Sequence, residues 1–171
     1  MTRCAVLGIG LTTILALAPA HMGAQDRKSE AWAFTYFTGN GEEGLNHRIY
    51  GTTTRDFWTF SPTRLFYEPG FNVIDATIVR DGSRFLMFLK NETNLPFKPE
   101  KNIRMAVASK AAGPYGPPGE PIHGPVPCEG PIVVKAGRSW IIIFDRYRER
   151  RMGAARNEDL CTWTIGRTSG S

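Results

Sequence analysis

Beyond the first two dozen residues, the apolar and polar positions of this 171-residue chain follow no helical period. Short apolar runs instead alternate with Gly, Pro, Asn and Asp, the punctuation of strands and turns, and predict an all-β chain. Two runs, "FLMFL" (85–89) and "WIIIF" (140–144), are apolar at every position rather than every second one. Strands of that kind have both faces covered, as when sheets stack on either side. "RDGSR" and "KAGRS" precede these runs, and Asp81-Gly82 is a strong hairpin signal.

The chain also repeats itself. Asp75 lies three residues before Ile78-Val79, a turn and "FLMFL"; Glu129 lies three residues before Ile132-Val133, a turn one residue longer, and "WIIIF". The two carboxylates are 54 residues apart. Further echoes, "RIYGTTTRDFWTF" from Arg48, "RMAVASK" from Arg104 and "RMGAARNEDLCTW" from Arg151, supply another strand per unit. Four antiparallel strands repeating at about 50 residues is the arithmetic of a β-propeller blade. A β-sandwich also spaces its strands regularly, but does not usually repeat a carboxylate at one register. "AWAFTYF" (31–37) begins partway through a unit whose inner strand should start at His21 or Met22, and the last unit reaches Ser171 without its outer strand. The expectation is an incomplete propeller of two to three blades, one complete and flanked by two incomplete. Open blade edges of this sort invite self-association.

Arg3, the apolar stretch Ala5 to Ala18 and the small residues after it form the pattern of a secretory signal peptide over residues 1–24, cleaved after Ala20 or Ala24. The stretch is shorter than the ~20 residues of a membrane span. A secreted or periplasmic domain over 25–171, free of the membrane after cleavage, is expected. The formal charge of +5 and pI near 9.3 change little. Apart from "RYRERR" (146–151) the basic residues are scattered, and no nucleic-acid motif accompanies them. Cys4 leaves with the signal, Cys128 is expected near the channel and Cys161 toward the rim, so no bridge is expected. No spacing suits a metal site.

Inner strands of a propeller line its channel, so Asp75 and Glu129 are expected to face each other near the axis. Paired carboxylates on a rigid scaffold are the equipment of glycoside hydrolysis. One must stay protonated, and a charged neighbour helps raise its pKa. Lys90, Glu92, Asp145, Arg146 and Tyr147 follow the apolar strands and lie within reach of a sugar. Solvated loop charge is the simpler account of each, and an Asp145–Arg146 ion pair is a further alternative. His47 and His123 read as isolated loop residues. Trp32, Trp58, Trp140 and Trp163 fall at repeat positions and are expected in the core.

"FNVIDATIVRDG", "CEGPIVVKAGRSW" and "IIFDRYRERRMGAARNEDLCTW" resemble glycoside hydrolase family 43, the five-bladed propellers of arabinanases, arabinofuranosidases and β-xylosidases. The resemblance runs from about Trp32 to about Trp163. It implies that Glu129, in "EGP", is the general acid and that Asp75, in "IDAT", modulates its pKa and orients it. It implies a polysaccharide or oligosaccharide partner containing arabinose or xylose, and inverting hydrolysis. It requires no cofactor and leaves open a structural calcium in the channel. The family's general base, an aspartate on an earlier blade, would precede residue 21 and has no counterpart here. A non-catalytic carbohydrate-binding remnant is therefore the competing expectation.

Overall fold

The computed structural model describes residues 47–93, 100–123 and 126–166, together with the backbone path of 13–15 and 31–38. Three antiparallel sheets follow one another along the chain. The first holds β1 (Thr13–Leu15), β2 (Ala31–Thr38), β3 (His47–Thr54) and β4 (Arg64–Tyr67) in that order. The second holds β5 (Val73–Asp81), β6 (Arg84–Asn91) and β7 (Asn102–Ala108). The third runs β8 (Glu129–Ala136), β9 (Ser139–Arg146), β10 (Arg151–Asn157) and β11 (Thr164–Ile165). Each sheet is a meander of sequential neighbours, which is how propeller blades are built.

The fully apolar run of β6 is explained by stacking. Met87 and Leu89 join Ile49, Tyr67, Val73, Ala76 and Ile78 between the first two blades. Leu86 and Phe88, one residue out of phase, join Val133, Trp140, Ile142 and Phe144 between the second and third. All four β6 side chains are fully buried. With period-2 alternation, only a strand covered on both faces can bury consecutive residues in this way. The corresponding run of β9 is covered on one face only: Trp140, Ile142 and Phe144 are buried while Ile141 and Ile143 are half-buried.

Three expectations are corrected. The middle blade, expected to be complete, is the one with three strands. Its outer position is taken by the Pro-rich segment after β7, in which Gly116, Gly119 and Ile122 donate backbone N–H groups to Val107, Met105 and Ile103 at 3.0, 2.9 and 2.9 Å. Proline has no N–H to give, so this segment cannot complete a ladder. The third blade does have an outer strand: β11 pairs with β10 through Ala155↔Ile165 and Arg156↔Thr164. In the first blade the strand paired with β2 is Thr13–Leu15, with Ile14 opposite Ala33, and not one starting at His21 or Met22, which lie outside the described residues.

The repeat register is also one residue off. Both hairpins have two-residue loops, with Asp81 opposite Arg84 and Ala136 opposite Ser139, and each loop begins with a positive-φ glycine, Gly82 or Gly137. Ile74 pairs with Lys90 as Glu129 pairs with Asp145, and Thr77 pairs with Phe88 as Ile132 pairs with Ile143. Asp75 is therefore the structural counterpart of Gly130, and Ile74 that of Glu129. A β-bulge interrupts each inner strand at this point.

Candidate active site

The bulges bring the two carboxylates together. Asp75 has φ 55° and Gly130 has φ 59°. Left-handed backbone suits glycine, and aspartate is among the few other residues that tolerate it. With the chain turned this way, Asp75 Oδ2 accepts the Gly130 N–H at 3.1 Å, directly beside Glu129. Strained backbone of this kind concentrates at functional sites. Burial raises the Asp75 carboxyl above its ordinary 3.8, the Gly130 N–H and the Lys90 charge pull it back, and the charge of Glu129 adds to the rise.

Lys90, the last apolar-run neighbour of β6, lies under Glu129. Its side chain is 3% exposed, with Nζ 2.7 Å from Glu129 Oε2 and 2.6 Å from Glu92 Oε2. The ammonium also lies 5.0 Å from the centroid of the Tyr147 ring. Burial pulls the Lys90 pKa down, but the hydrogen bonds and charges of Glu129 and Glu92 outweigh it and hold the group above its ordinary 10.5. Glu92 is pushed up by burial and brought below 4.5 by Lys101 and Lys90. Lys101 forms an ion pair with Glu92 and donates to its carbonyl at 3.2 Å. Lys90 is thus buried and ion-paired with two carboxylates, not a solvated loop charge.

Asp145 sits opposite Glu129 in the β8–β9 register. Arg146 pairs with Glu149, at 2.5 Å, across the tight turn that follows, and not with Asp145 as the alternative reading had it. His47 is not isolated: its N–H donates to Asn72 Oδ1 at 2.9 Å, and Asn72 O accepts the Glu92 N–H at 2.8 Å. Burial lowers the His47 pKa against the opposing charge of Glu92. His123 stacks on Phe144 with centroids 5.0 Å apart, and its Nε2 lies 2.6 Å from Cys128 Sγ. Cys128 is fully buried and Cys161 exposed, both as free thiols. Burial pushes the Cys128 thiol up to about 12.

Sequence reasoning passed over the Glu92–Lys101 pair and Asn72, and ranked Lys90 low. The available signal was position: Lys90 and Asn91 directly extend a strand buried on both faces, so their side chains had to be buried and paired. Of the tryptophans, Trp140 is in the core and Trp163 packs edge-on against Phe88 at 6.0 Å, but Trp58 is 90% exposed. Trp32 lies where only the backbone is described. Among the described residues no three His, Cys, Asp or Glu side chains are grouped to hold a metal ion.

Antiparallel blades stacked in sequence define a β-propeller, with acidic groups at the starts of neighbouring inner strands. The chain belongs to the glycosyl hydrolase 43-related family, described as "Probable glycosyl hydrolase domain", whose model matches residues 30–169. Similar solved structures include a glycosyl hydrolase from Bacteroides ovatus, with TM-score 0.61 and 14% identity over 82% of this chain and 46% of that one. A thermostable family-43 glycoside hydrolase gives TM-score 0.59 and 16% identity over 83% and 51% of the two chains. A sucrose-6-phosphate hydrolase from Lactobacillus gasseri gives TM-score 0.63 and 10% identity over 81% and 31%. No curated protein sequence matches. The chain spans about half or less of the length of these structures.

Proposed function

We propose that Glu129 is the general acid of a glycoside hydrolase site and that Asp75 orients and tunes it. The substrates are arabinose- or xylose-containing plant polysaccharides or oligosaccharides, cleaved with inversion. The observation that carries this reading is the 3.1 Å bond from Gly130 N–H to Asp75 Oδ2, which ties the segment bearing Glu129 to a carboxyl raised by burial. Glu129 is reachable: its side chain is 37% exposed above a Lys90 that is only 3% exposed. A proton donor needs that access to the leaving oxygen. Replacing Glu129 with Gln is expected to lower hydrolysis of an aryl arabinofuranoside or aryl xyloside by about 10²-fold or more. Unchanged turnover would end the assignment.

A second reading, saccharide binding without cleavage, is favoured by the state of the remaining carboxylates. Glu92 is tied to Lys90 and Lys101, and the strand Thr13–Leu15 carries no carboxylate, so neither offers a free group to activate water. Calorimetric binding of xylo- or arabino-oligosaccharide with no release of reducing sugar would decide for it. Export is part of the first reading, supported by Arg3 and the apolar stretch to Ala18. Cleavage would remove the strand that pairs with β2, so the intact mass of the protein recovered from outside the cell tests export and the first blade together.

A further inference from the structure

The hairpin turn between β9 and β10 carries more positive charge than its own carboxylate balances. Residues 146–151, "RYRERR", hold four arginines against one glutamate, which leaves +3 of the chain's net +5 in this one turn. Arg146 and Arg151 are direct partners in the β9–β10 register, where like charges repel. Glu149 lies between them, its Oε1 accepting from Arg146 at 2.5 Å and its Oε2 from Arg151 at 2.7 Å. That carboxylate is then fully engaged. Arg148 and Arg150 are exposed and form no ion pair with any described residue. Backbone bonds hold the turn, from Glu149 N–H to Arg146 O at 2.7 Å and from Arg150 N–H to Tyr147 O at 3.4 Å. Arg150 has φ 53°, a conformation in which glycine is the usual residue. A left-handed arginine in a turn crowded with like charge is an unfavourable choice for a loop that only faces water.

The turn lies at the same end of the sheets as the candidate acid. Glu129 opens β8 opposite Asp145, the residue before Arg146. The half-buried Tyr147 ring has its centroid 5.0 Å from Lys90 Nζ, which is itself 2.7 Å from Glu129 Oε2. A saccharide held at Glu129 that continues past Tyr147 therefore meets Arg148 and Arg150. We propose that this turn is a subsite for an anionic saccharide, its guanidinium groups binding a uronate carboxylate or a phosphate ester on a sugar beyond the cleaved bond. The inference rests on reading Glu129 as the acid, and adds to that reading the charge of the substrate. Guanidinium forks match the paired oxygens of either anion. The charges are also sorted along the path. Asp75, Glu129 and Asp145 disfavour an anion beside the acid, and the arginines draw it to the turn. An aromatic ring between the two offers an apolar face to the sugar.

Calorimetric titration of the whole chain tests this with two matched pairs of probes. One pair is xylotetraose and the same tetraose carrying a glucuronic acid branch, and the other is arabinose and arabinose 5-phosphate. In at least one pair the charged probe is expected to bind about fivefold or more tightly than its neutral partner at low salt, with the advantage shrinking at high salt. The pair that shows it identifies the anion. Arg148→Gln/Arg150→Gln is expected to abolish the preference. Arg80→Gln/Arg138→Gln removes the same charge from exposed positions at the hairpin ends of β5 and β8, away from Glu129, and is expected to keep it. Near-UV circular dichroism identical to the parent confirms that each variant is folded. Equal binding within both pairs overturns the proposal, as does no binding of any probe. So does a preference that survives Arg148→Gln/Arg150→Gln, or one lost in Arg80→Gln/Arg138→Gln, which would make it an effect of net charge alone. The hydrolysis test of Glu129→Gln is read separately, so neutral and charged probes bound alike count against the subsite, and full turnover by Glu129→Gln counts against the acid.

Discussion

Lys90→Met tests the ionic arrangement beneath the candidate acid. The wild-type ammonium is buried between two carboxylates at 2.7 and 2.6 Å. Removing one partner of a buried pair costs about 3–5 kcal/mol because a charge is left uncompensated. Two features reduce that figure here. Glu129 is 37% exposed, so water takes over part of the lost interaction, and Glu92 keeps Lys101. The expected loss is about 2–3 kcal/mol at pH 7, or about 4–12 °C in Tm for a chain of this size. The sign with pH follows from the two shifts. Glu92 lies below 4.5 in the fold, so its contribution is present above 4.5 and lost as pH falls through its lower folded value. Lys90 lies above 10.5, so its contribution is present below 10.5 and lost as pH rises through its higher folded value. The gap between wild type and Lys90→Met is therefore widest between those limits and closes beyond either. In acid it should reverse, because the wild type then buries an ammonium beside a Glu92 that has lost its charge. Urea titrations followed by tryptophan fluorescence at pH 3, 7 and 11 read this directly. A gap independent of pH, or a variant as stable as the parent at pH 7, would refute the reasoning.

Other consequences are simpler. Gly130→Ala and Gly137→Ala place a Cβ in open space at φ +59° and +60°, so both should lose about 1–2 kcal/mol to backbone strain alone. Only Gly130→Ala should also lower saccharide hydrolysis or binding, since its N–H is the one Asp75 accepts. Gly153→Ala drives a methyl into the Phe144 ring, 2.9 Å from Cζ, and should cost about 1–3 kcal/mol by urea melting, as overpacking does. Maleimide labelling followed by peptide mapping should modify Cys161 in the native protein and Cys128 only in denaturant, because burial keeps the Cys128 thiol protonated to about 12.

The blade was legible in the sequence because its signals are local. Runs such as "FLMFL", the Asp81-Gly82 turn and the recurring Arg-led strands each report on a few neighbouring residues. What was illegible depends on partners brought from elsewhere. The turn that begins "RDFWTF" has its counterpart in "NEDLCTW": Asp56 Oδ1 accepts the N–H groups of Trp58 and Thr59, as Asp159 Oδ1 accepts those of Cys161 and Thr162. In this alignment Trp58 falls on Cys161 and both are exposed, whereas Leu160 and Trp163 pack against the core while their counterparts Phe57 and Phe60 are 45% and 48% exposed. Position in a repeat fixes backbone conformation, and burial depends on which blade stands next. Lys90 failed for the opposite reason. A lysine after a strand reads as solvated until its two carboxylates, one following the same strand and one from the next blade, are seen around it.

The one-residue error in the repeat is itself informative. Aligning Asp75 with Glu129 suggested one carboxylate used twice. The pairing of the hairpins shows Asp75 and Gly130 at equivalent bulges in successive blades, both in left-handed backbone. A bulge leaves one residue unpaired in its ladder. At one bulge the site needs an acceptor, and the residue is an aspartate that tolerates positive φ. At the next it needs a donor, and the residue is a glycine whose N–H is free of its own sheet. The two bulges therefore meet as the halves of a single hydrogen bond. Glu129, one position earlier, is left in the ladder register facing Asp145 and held from below by Lys90. Divergence at an equivalent position, not repetition of one residue, is what places two carboxyls beside each other while keeping their environments different. A pair of carboxyls can divide acid and tuning roles only if their surroundings differ.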